Sequence, residues 1–484
     1  MIPTFLRHFL SDLAAHGLLS HLLTIAGFLL AFFLVARLMS EKRAPANTVS
    51  WLLIIVLVPY VGVPLYLIFG GRKLRRLNAR KSKLVPTLPR SLVGQATPAA
   101  GPVAHAVTAA GAGPPVSGNS LGILATGEEE FAALEKHIQE ARHCIHITTF
   151  ILNRDEVGRR LVSLLAARAR KGVKVRLLLD ALGSPVSSHL FANPLRRAGG
   201  EVARFMPVMP VTSARWANLR NHRKMAIFDH GTVVMGGRNI GREYMGPTPL
   251  RRRWRDFGVV IEGPAAALLN EVFIADWCFT TRQSPEVVHA GMPSDAVEPR
   301  GNCDLQVVAS GPDVPGDPLY EGIIAMIQEA ERNIWIVTPY FIPDDVLQRS
   351  LIVKARAGCQ VTLVVPAVSN HRIADFARRY YTRELLRAGI RVMLYTPGML
   401  HAKAVVVDGR TALVGSPNFD LRSLFVNFEI GVLVHSKAEV KAIKGWLDGI
   451  LAHCVPAVAA STTGRRRLLG NVAEDISRLL APLL

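Results

Sequence analysis

Residues 222–239 read HRKMAIFDHGTVVMGGRN, and residues 401–418 read HAKAVVVDGRTALVGSPN. The spacing 401 − 222 = 179 also relates Lys224 to Lys403, Asp229 to Asp408, Gly236 to Gly415 and Asn239 to Asn418. One H-x-K-x-x-x-x-D match arises easily by chance. Two in one register, each continued by Gly and Asn, mark an internal repeat.

The repeat extends upstream. EEFAALEKHIQEA, IHITTFI, VGRRLVSLLAARARKG and VKVRLLLD read as helix, strand, helix, strand in the first half. LYEGIIAMIQEA, IWIVTPYFI, DVLQRSLIVKARAG and QVTLVVP repeat that order in the second. The offset drifts from 334 − 145 = 189 through 358 − 172 = 186 to 179, as gaps between diverged copies would make it. Alternating strands and helices predict an α/β fold, with helices on a central mixed sheet in two lobes, residues 120–300 and 301–484. The lobes are expected to face one another as a pseudo-twofold pair, because neither motif alone supplies two histidines.

In an extended strand side chains alternate, so His222 and Lys224 share a face, as do His401 and Lys403. Asp229 and Asp408 lie seven residues beyond their histidines. Parity sends them to the opposite face, and a structural role is expected for these two members of the motif-defined catalytic set. The D-H-G and D-G turns lead to a second strand ending in GGRN or GSPN. There Gly236 and Gly415 are expected to let backbone approach a ligand, with Ser416 beside them and Asn239 and Asn418 donating amide hydrogen bonds. Two histidines, two lysines and two asparagines suit the oxygens of a phosphodiester. One imidazole attacks phosphorus while the other protonates the leaving alkoxide, and the lysines and asparagines stabilise the growing charge. The near-symmetry leaves open which histidine does which, and the chemistry needs neither metal nor cofactor. Asp256 in RRWRDFGVVIEG and Glu429 in VNFEIGVLV follow the motifs, each expected to accept the Nδ1 proton of the histidine in its own motif. A surface salt bridge to nearby arginines is the alternative for both.

The amino terminus has a different character. Between Asp12 and Arg37 no Asp, Glu, Lys or Arg occurs, and WLLIIVLVPYVGVPLYLIFGG follows at 51–71. Segments at about 13–36 and 51–71 are each long enough to cross an apolar core of about 30 Å. Two transmembrane helices are therefore expected within residues 1–83. The cluster RKLRRLNARKSK then places the large carboxy-terminal region in the cytoplasm. That cluster either holds the next domain against anionic lipid or is a plain stop-transfer signal. Residues 84–119 read as an Ala/Gly/Pro-rich linker. The charge of 57 − 37 = +20 suits an anionic membrane or a nucleic acid alike. Two spans, and few aromatics to interleave with the basic clusters, speak against a nuclease, and intact motifs speak against a scaffold. The five scattered cysteines show neither C-x-x-C spacing nor a disulfide framework.

With its two H-x-K-x-x-x-x-D motifs the chain resembles the phospholipase D superfamily. Within it, SWLLIIVLVPYVGVPLYLIFGGRK, RNHRKMAIFD, GGRNIGREY, VTPYFIPDD, GMLHAKAVVVD and GSPNFDLRSLFVNFE are similar to the bacterial cardiolipin synthases. That resemblance implies two phospholipase D-like lobes at the cytoplasmic (inner) membrane. It implies transfer of phosphatidyl between two phosphatidylglycerol molecules through a phosphohistidine, with His222 as nucleophile and His401 as general acid and base. Hydrolysis by water, or phosphatidylethanolamine as donor, are the alternatives within the same chemistry. Expected partners are phosphatidylglycerol, other anionic phospholipids and the membrane, with no nucleic acid. No feature sets the oligomeric state. One departure from the pattern is PAVSNHRIADFARRYY, where Ser369, Asn370 and His371 stand in place of an acidic residue.

Overall fold

The computed structural model describes residues 101–207, 219–290, 292–293, 297–314 and 316–458, and nearer the amino terminus 25, 27, 29–30, 32–36, 45–58, 60, 62–63 and 66. Two compact units make up the chain, one from Met1–Arg72 with Met209–Asn218 and the other from Lys73–Val208 with Leu219–Leu484.

In the larger unit the first lobe contributes β1 (Val116–Leu124), β2 (Cys144–Thr149), β3 (Lys174–Asp180), β4 (Glu201–Phe205), β5 (Met225–Phe228), β6 (Thr232–Gly236) and β7 (Gly258–Glu262). The second contributes β8 (Cys303–Ser310), β9 (Asn333–Val337), β10 (Phe341–Ile342), β11 (Gln360–Pro366), β12 (Arg391–Tyr395), β13 (Ala404–Val407), β14 (Thr411–Gly415), β15 (Phe419–Asp420), β16 (Glu429–Val434) and β17 (Cys454–Pro456). All but β10 and β15, which pair with each other, form one 15-stranded mixed sheet. Outward from its centre the order is β1-β7-β6-β5-β2-β3-β4 on one side and β8-β16-β14-β13-β9-β11-β12 on the other, closed by β17. Equivalent strands occupy equivalent places, and the antiparallel β1/β8 seam joins the halves. The expected α/β architecture with its repeat is thus present, as one continuous sheet.

The helices predicted by period appear at Gly127–Glu140, Glu156–Arg170, Pro318–Glu329 and Asp345–Arg356. Thr126, Asp155 and Asp344 cap three of them through their side chains. Each lobe has its own apolar core. One is built around Phe131, Leu161 and Leu177, the other around Ile323, Leu351 and Leu363.

Part of the expected linker is structured. Pro102–Ala109 is a helix whose Val103, Ala104 and Val107 are buried, and Val103 and Val107 belong to the second lobe's core. Gln306 fastens it by donating to the Ala104 carbonyl at 3.2 Å and to the Thr108 hydroxyl at 3.0 Å. Val116–Asn119, also assigned to the linker, begins β1. A low-complexity composition concealed a short i, i+1, i+4 apolar stripe that only its docking partner stabilises.

The spans expected at 13–36 and 51–71 fall largely outside the described residues. Among the described residues no helix is long and apolar enough to cross a membrane. Pro45–Leu57 is helical, and Leu34, Ile55, Val63 and Tyr66 form a small buried cluster. Around that cluster Leu29, Phe32, Phe33, Leu53, Val56 and Leu57 are exposed.

Candidate active site

Each histidine–lysine pair lies just ahead of its strand, in an extended segment that bonds to the opposite lobe. Asn221 forms a parallel bridge with Phe428, and Arg255 with Leu400. The His222 amide donates to the Phe428 carbonyl at 2.9 Å and the His401 amide to the Arg255 carbonyl at 2.7 Å. Because Glu429 follows Phe428 and Asp256 follows Arg255, this backbone pairing brings each carboxylate to the other lobe's imidazole. His222 Nδ1 lies 2.9 and 3.1 Å from the Glu429 oxygens, and His401 Nδ1 lies 2.6 Å from Asp256 Oδ2. Both residues occupy the orienting place read from the sequence, but the pairing expected within each motif is exchanged between lobes.

The lysines fold back on their own histidines. Lys224 Nζ donates to the His222 carbonyl at 2.7 Å. Lys403 Nζ donates to the His401 carbonyl and lies 2.8 Å from the ring's Nδ1. Side-chain exposure is only 11 % for His222 and 6 % for His401, with both carboxylates fully buried.

Burial governs the charges. It lowers His222, with the positive charges of Lys224 and, across the interface, Lys403 adding to the effect against Glu429. It brings His401 down to about 3, helped by Lys403 and Lys224 and opposed by Asp256. Burial likewise brings Lys224 down to about 7 and Lys403 down to about 8. Although burial opposes it, Lys403 and His401 hold the Asp256 carboxyl well below the usual carboxylate range, and His222 and Lys224 hold Glu429 low. Two neutral imidazoles, each with Nδ1 on a carboxylate, leave Nε2 with its lone pair. Lys403 acts on His222 and Lys224, and Lys224 on His401, so both half-sites lie in one electrostatic field.

The motif aspartates do something else, as parity implied. Asp229 accepts from the amides of Arg142, His143 and Cys144 at 2.7, 2.7 and 2.9 Å. Asp408 accepts from those of Glu331, Arg332 and Asn333 at 2.8, 2.8 and 2.7 Å. Both sit in the β5–β6 and β13–β14 turns with φ of 45° and 52°, tying each hairpin to the start of the neighbouring strand.

Gly236 and Gly415 each lie against the backbone of a neighbouring strand. A Cβ on Gly236 would lie 2.5 Å from the Phe257 carbonyl oxygen, and one on Gly415 2.3 Å from that of Ile430. They permit close approach of β7 and β16, and so set the carboxylates behind the histidines. Ser416 donates its hydroxyl to Glu429 Oε2 and accepts from the Ile430 amide at 3.0 Å. Asn239 accepts from the Ile151 amide at 3.2 Å and bonds Tyr244, whose ring centroid lies 5.6 Å from that of His401. Asn418 bonds Asp420, and its buried Oδ1 finds no partner among the described residues.

Sequence reasoning missed two buried arginines. Arg223 holds Asp276 at 2.6 and 2.7 Å and donates to the carbonyls of Glu429 at 3.1 Å and Ser310 at 3.2 Å. Arg238 pairs with Glu130 and donates to the Asp256 carbonyl. Each thus grips the backbone of one orienting carboxylate. Asp276, one of two acids in the otherwise apolar helix Pro264–Thr281, was the available signal. A buried charge requires a partner.

A model of the family described as cardiolipin synthase, PLD-like domain matches residues 134–277 and 323–451, more than half of the chain. The chain belongs to that family. The two matched segments fall in the two lobes. A second model, phospholipase D-nuclease N-terminal, matches residues 28–71. The chain is 34 % identical to a cardiolipin synthase of Geobacillus thermodenitrificans (strain NG80-2) over 97 % of its own length and 94 % of that protein's. It is also 34 % identical to cardiolipin synthase A of Pseudomonas fluorescens (strain SBW25), over 91 % and 94 %. The crystal structure of a phosphatidylserine synthase from Haemophilus influenzae Rd KW20 shares the fold, with a TM-score of 0.59 at 16 % identity, covering 75 % of this chain and 95 % of that one.

Proposed function

We propose that the protein is a phosphatidyltransferase that makes cardiolipin and glycerol from two molecules of phosphatidylglycerol. The observation that carries this reading is the pair of imidazoles, each held through Nδ1 by a buried carboxylate of the opposite lobe, with a lysine beside each. His222 Nε2 attacks the phosphorus of the first phosphatidylglycerol, and the bond from phosphorus to the terminal glycerol oxygen breaks. His401 gives that oxygen its proton, and glycerol leaves a phosphatidyl-histidine. The terminal hydroxyl of a second phosphatidylglycerol then loses its proton to His401 and attacks phosphorus, and the P–N bond breaks. Lys224 and Lys403 hold the phosphoryl oxygens. The phosphodiester anion offsets the lysine charges that depress His401, so bound substrate raises its affinity for the proton it must donate.

The reading places the chain in the bacterial cytoplasmic membrane, anchored by two spans at about 13–36 and 51–71 and with its catalytic lobes cytoplasmic. Support comes from the apolar residues both inside and outside the small amino-terminal cluster, a distribution that suits lipid surroundings. The basic run at 72–83 supports the orientation.

The test is mass spectrometry of products from the detergent-purified full chain and phosphatidylglycerol. Cardiolipin with equimolar glycerol, absent from His222→Ala and His401→Ala, is expected. Phosphatidic acid would make the protein a hydrolase, and product only after adding phosphatidylethanolamine would change the donor. No lipid product would sink the reading.

A further inference from the structure

The segments after β3 and β11 each carry exposed apolar side chains, and they are related by the repeat. Leu182, Val186 and Leu190 follow β3, and Val368, Ile373 and Phe376 follow β11, all between 41 and 73 % exposed. The offset that relates the strand ends, 366 − 180 = 186, also relates Leu182 to Val368 (368 − 182 = 186) and Leu190 to Phe376 (376 − 190 = 186). Exposure recurring at equivalent places in two diverged copies is not a scatter of single surface hydrophobes.

Each loop is tied directly to one half-site. Asp180, at the end of β3, accepts from the Leu182 amide at 2.8 Å and from the amide of Asn221, next to His222, at 2.9 Å. Ser184 donates to the carbonyl of Phe150 at 2.9 Å, and the Phe150 ring lies 5.3 Å from His222. In the other lobe Tyr340 donates its hydroxyl to Asn370, and its ring meets His371 at 5.4 Å. Thr338 links the Tyr340 carbonyl, at 2.8 Å, to the amide of Phe419, at 3.2 Å, beside Asn418.

Positive charge borders the apolar residues. In the helix Arg372–Arg387 the exposed Arg372 and Arg379 flank Ile373 and Phe376, with the Arg379 guanidinium 4.7 Å from the Phe376 ring centre. Arg197 is exposed beyond the first loop. Apolar side chains rimmed by arginine match the boundary between acyl chains and anionic headgroups.

We propose that these two loops are the surface on which the catalytic lobes seat on an anionic phospholipid bilayer, dipping Leu182, Leu190, Ile373 and Phe376 below the headgroups on either side of the site. A diacyl lipid then presents its phosphate to the histidines while its chains stay in the bilayer. The seating rests on the proposed lipid substrate for its purpose, but it is tested without turnover.

The full chain, with Cys454→Ser removing the one half-buried thiol, receives an environment-sensitive fluorophore at Leu190→Cys, Phe376→Cys or, at the far end of β3, the exposed Lys171→Cys. Each is reconstituted in phosphatidylglycerol vesicles containing lipids brominated in the acyl chain. Quenching of at least about twofold at 190 and 376 and none at 171 is expected. No quenching at either loop overturns the proposal. So does a blue-shifted, concentration-dependent signal in detergent without bilayer, which assigns the surface to a second copy of this chain. In a second arm, Leu182→Asp/Leu190→Asp and Ile373→Asp/Phe376→Asp are expected to lose about tenfold or more of activity on vesicles and less than about twofold on short-chain monomeric phosphatidylglycerol. Equal activity on vesicles, or equal loss on both substrates, counts against the seating. If quenching stands and no lipid product forms, the docking surface survives and the proposed reaction does not.

Discussion

The two half-sites are built on one plan with different parts. Behind His222 stands Glu429, steadied by the Ser416 hydroxyl; behind His401 stands Asp256, with Lys403 Nζ 4.0 Å away. The residue equivalent to Ser416 is Gly237 (416 − 179 = 237), and a Cβ there would lie 2.3 Å from Asp256 Oδ1. The longer carboxylate is paired with a hydroxyl and the shorter one with an absent side chain. The scaffolding is equally uneven. Arg223 and Arg238 both come from the first motif region, whereas their equivalents 179 residues on are Ala402 and Pro417. The repeat carries the symmetric chemistry, while the buried arginines that grip the backbone of both carboxylates stand in the first motif region alone of the two.

This comparison can be broken at several levels. His222→Ala and His401→Ala are each expected to lower turnover by about 10⁴-fold, read by cardiolipin formation; a large residual rate in one alone would mean that the halves are not interdependent. Arg223→Ala takes from the buried Asp276 its arginine partner, which should cost about 3–5 kcal/mol of stability in denaturant unfolding. Its counterpart Ala402→Gly should cost far less.

The exchange of carboxylates predicts a specific pattern of coupling. Glu429→Gln and Asp256→Asn should each slow turnover by about 10²-fold or more. Glu429→Gln should add little once His222 is gone, while Asp256→Asn should still be felt in that background. Gly237→Ala pushes Asp256 off its histidine, and a loss of roughly 10- to 100-fold is expected. Ser416→Ala removes one hydrogen bond to a charged group and should cost about tenfold. Equal effects of these two would erase the asymmetry.

The smallest effect is on pH dependence. The folded pKa values of Lys224 and Lys403, lowered to about 7 and about 8, mean that their charge is present below that range and lost above it. kcat/KM should therefore fall several-fold as pH rises from about 7 to about 8. In kcat the fall should move to higher pH, because a bound phosphodiester anion favours the protonated lysines. A flat profile over that range would show that the lysines stay charged in the free protein.

Much of the site was legible because residue type and spacing are local. The motif repeat gave the histidines and lysines, and strand parity separated Asp229 and Asp408 from them. The contact of Gly236 and Gly415 with a neighbouring strand was not legible, since closeness to a strand and closeness to a ligand ask the same of a glycine. The helix Pro102–Ala109 was passed over because its stripe of Val103, Ala104 and Val107 is stabilised only by the core it meets.

By itself the sequence determined the duplicated α/β plan, the paired imidazoles and the two carboxylates available to orient them. Only the tertiary structure decided which carboxylate serves which histidine. Asp256 lies 256 − 222 = 34 residues after the first motif histidine and Glu429 lies 429 − 401 = 28 after the second, so chain proximity favours the wrong partner in both cases. The parallel bridges Asn221 to Phe428 and Arg255 to Leu400 cross between the lobes, and backbone hydrogen bonds between residues so far apart leave no periodic trace in the chain that makes them.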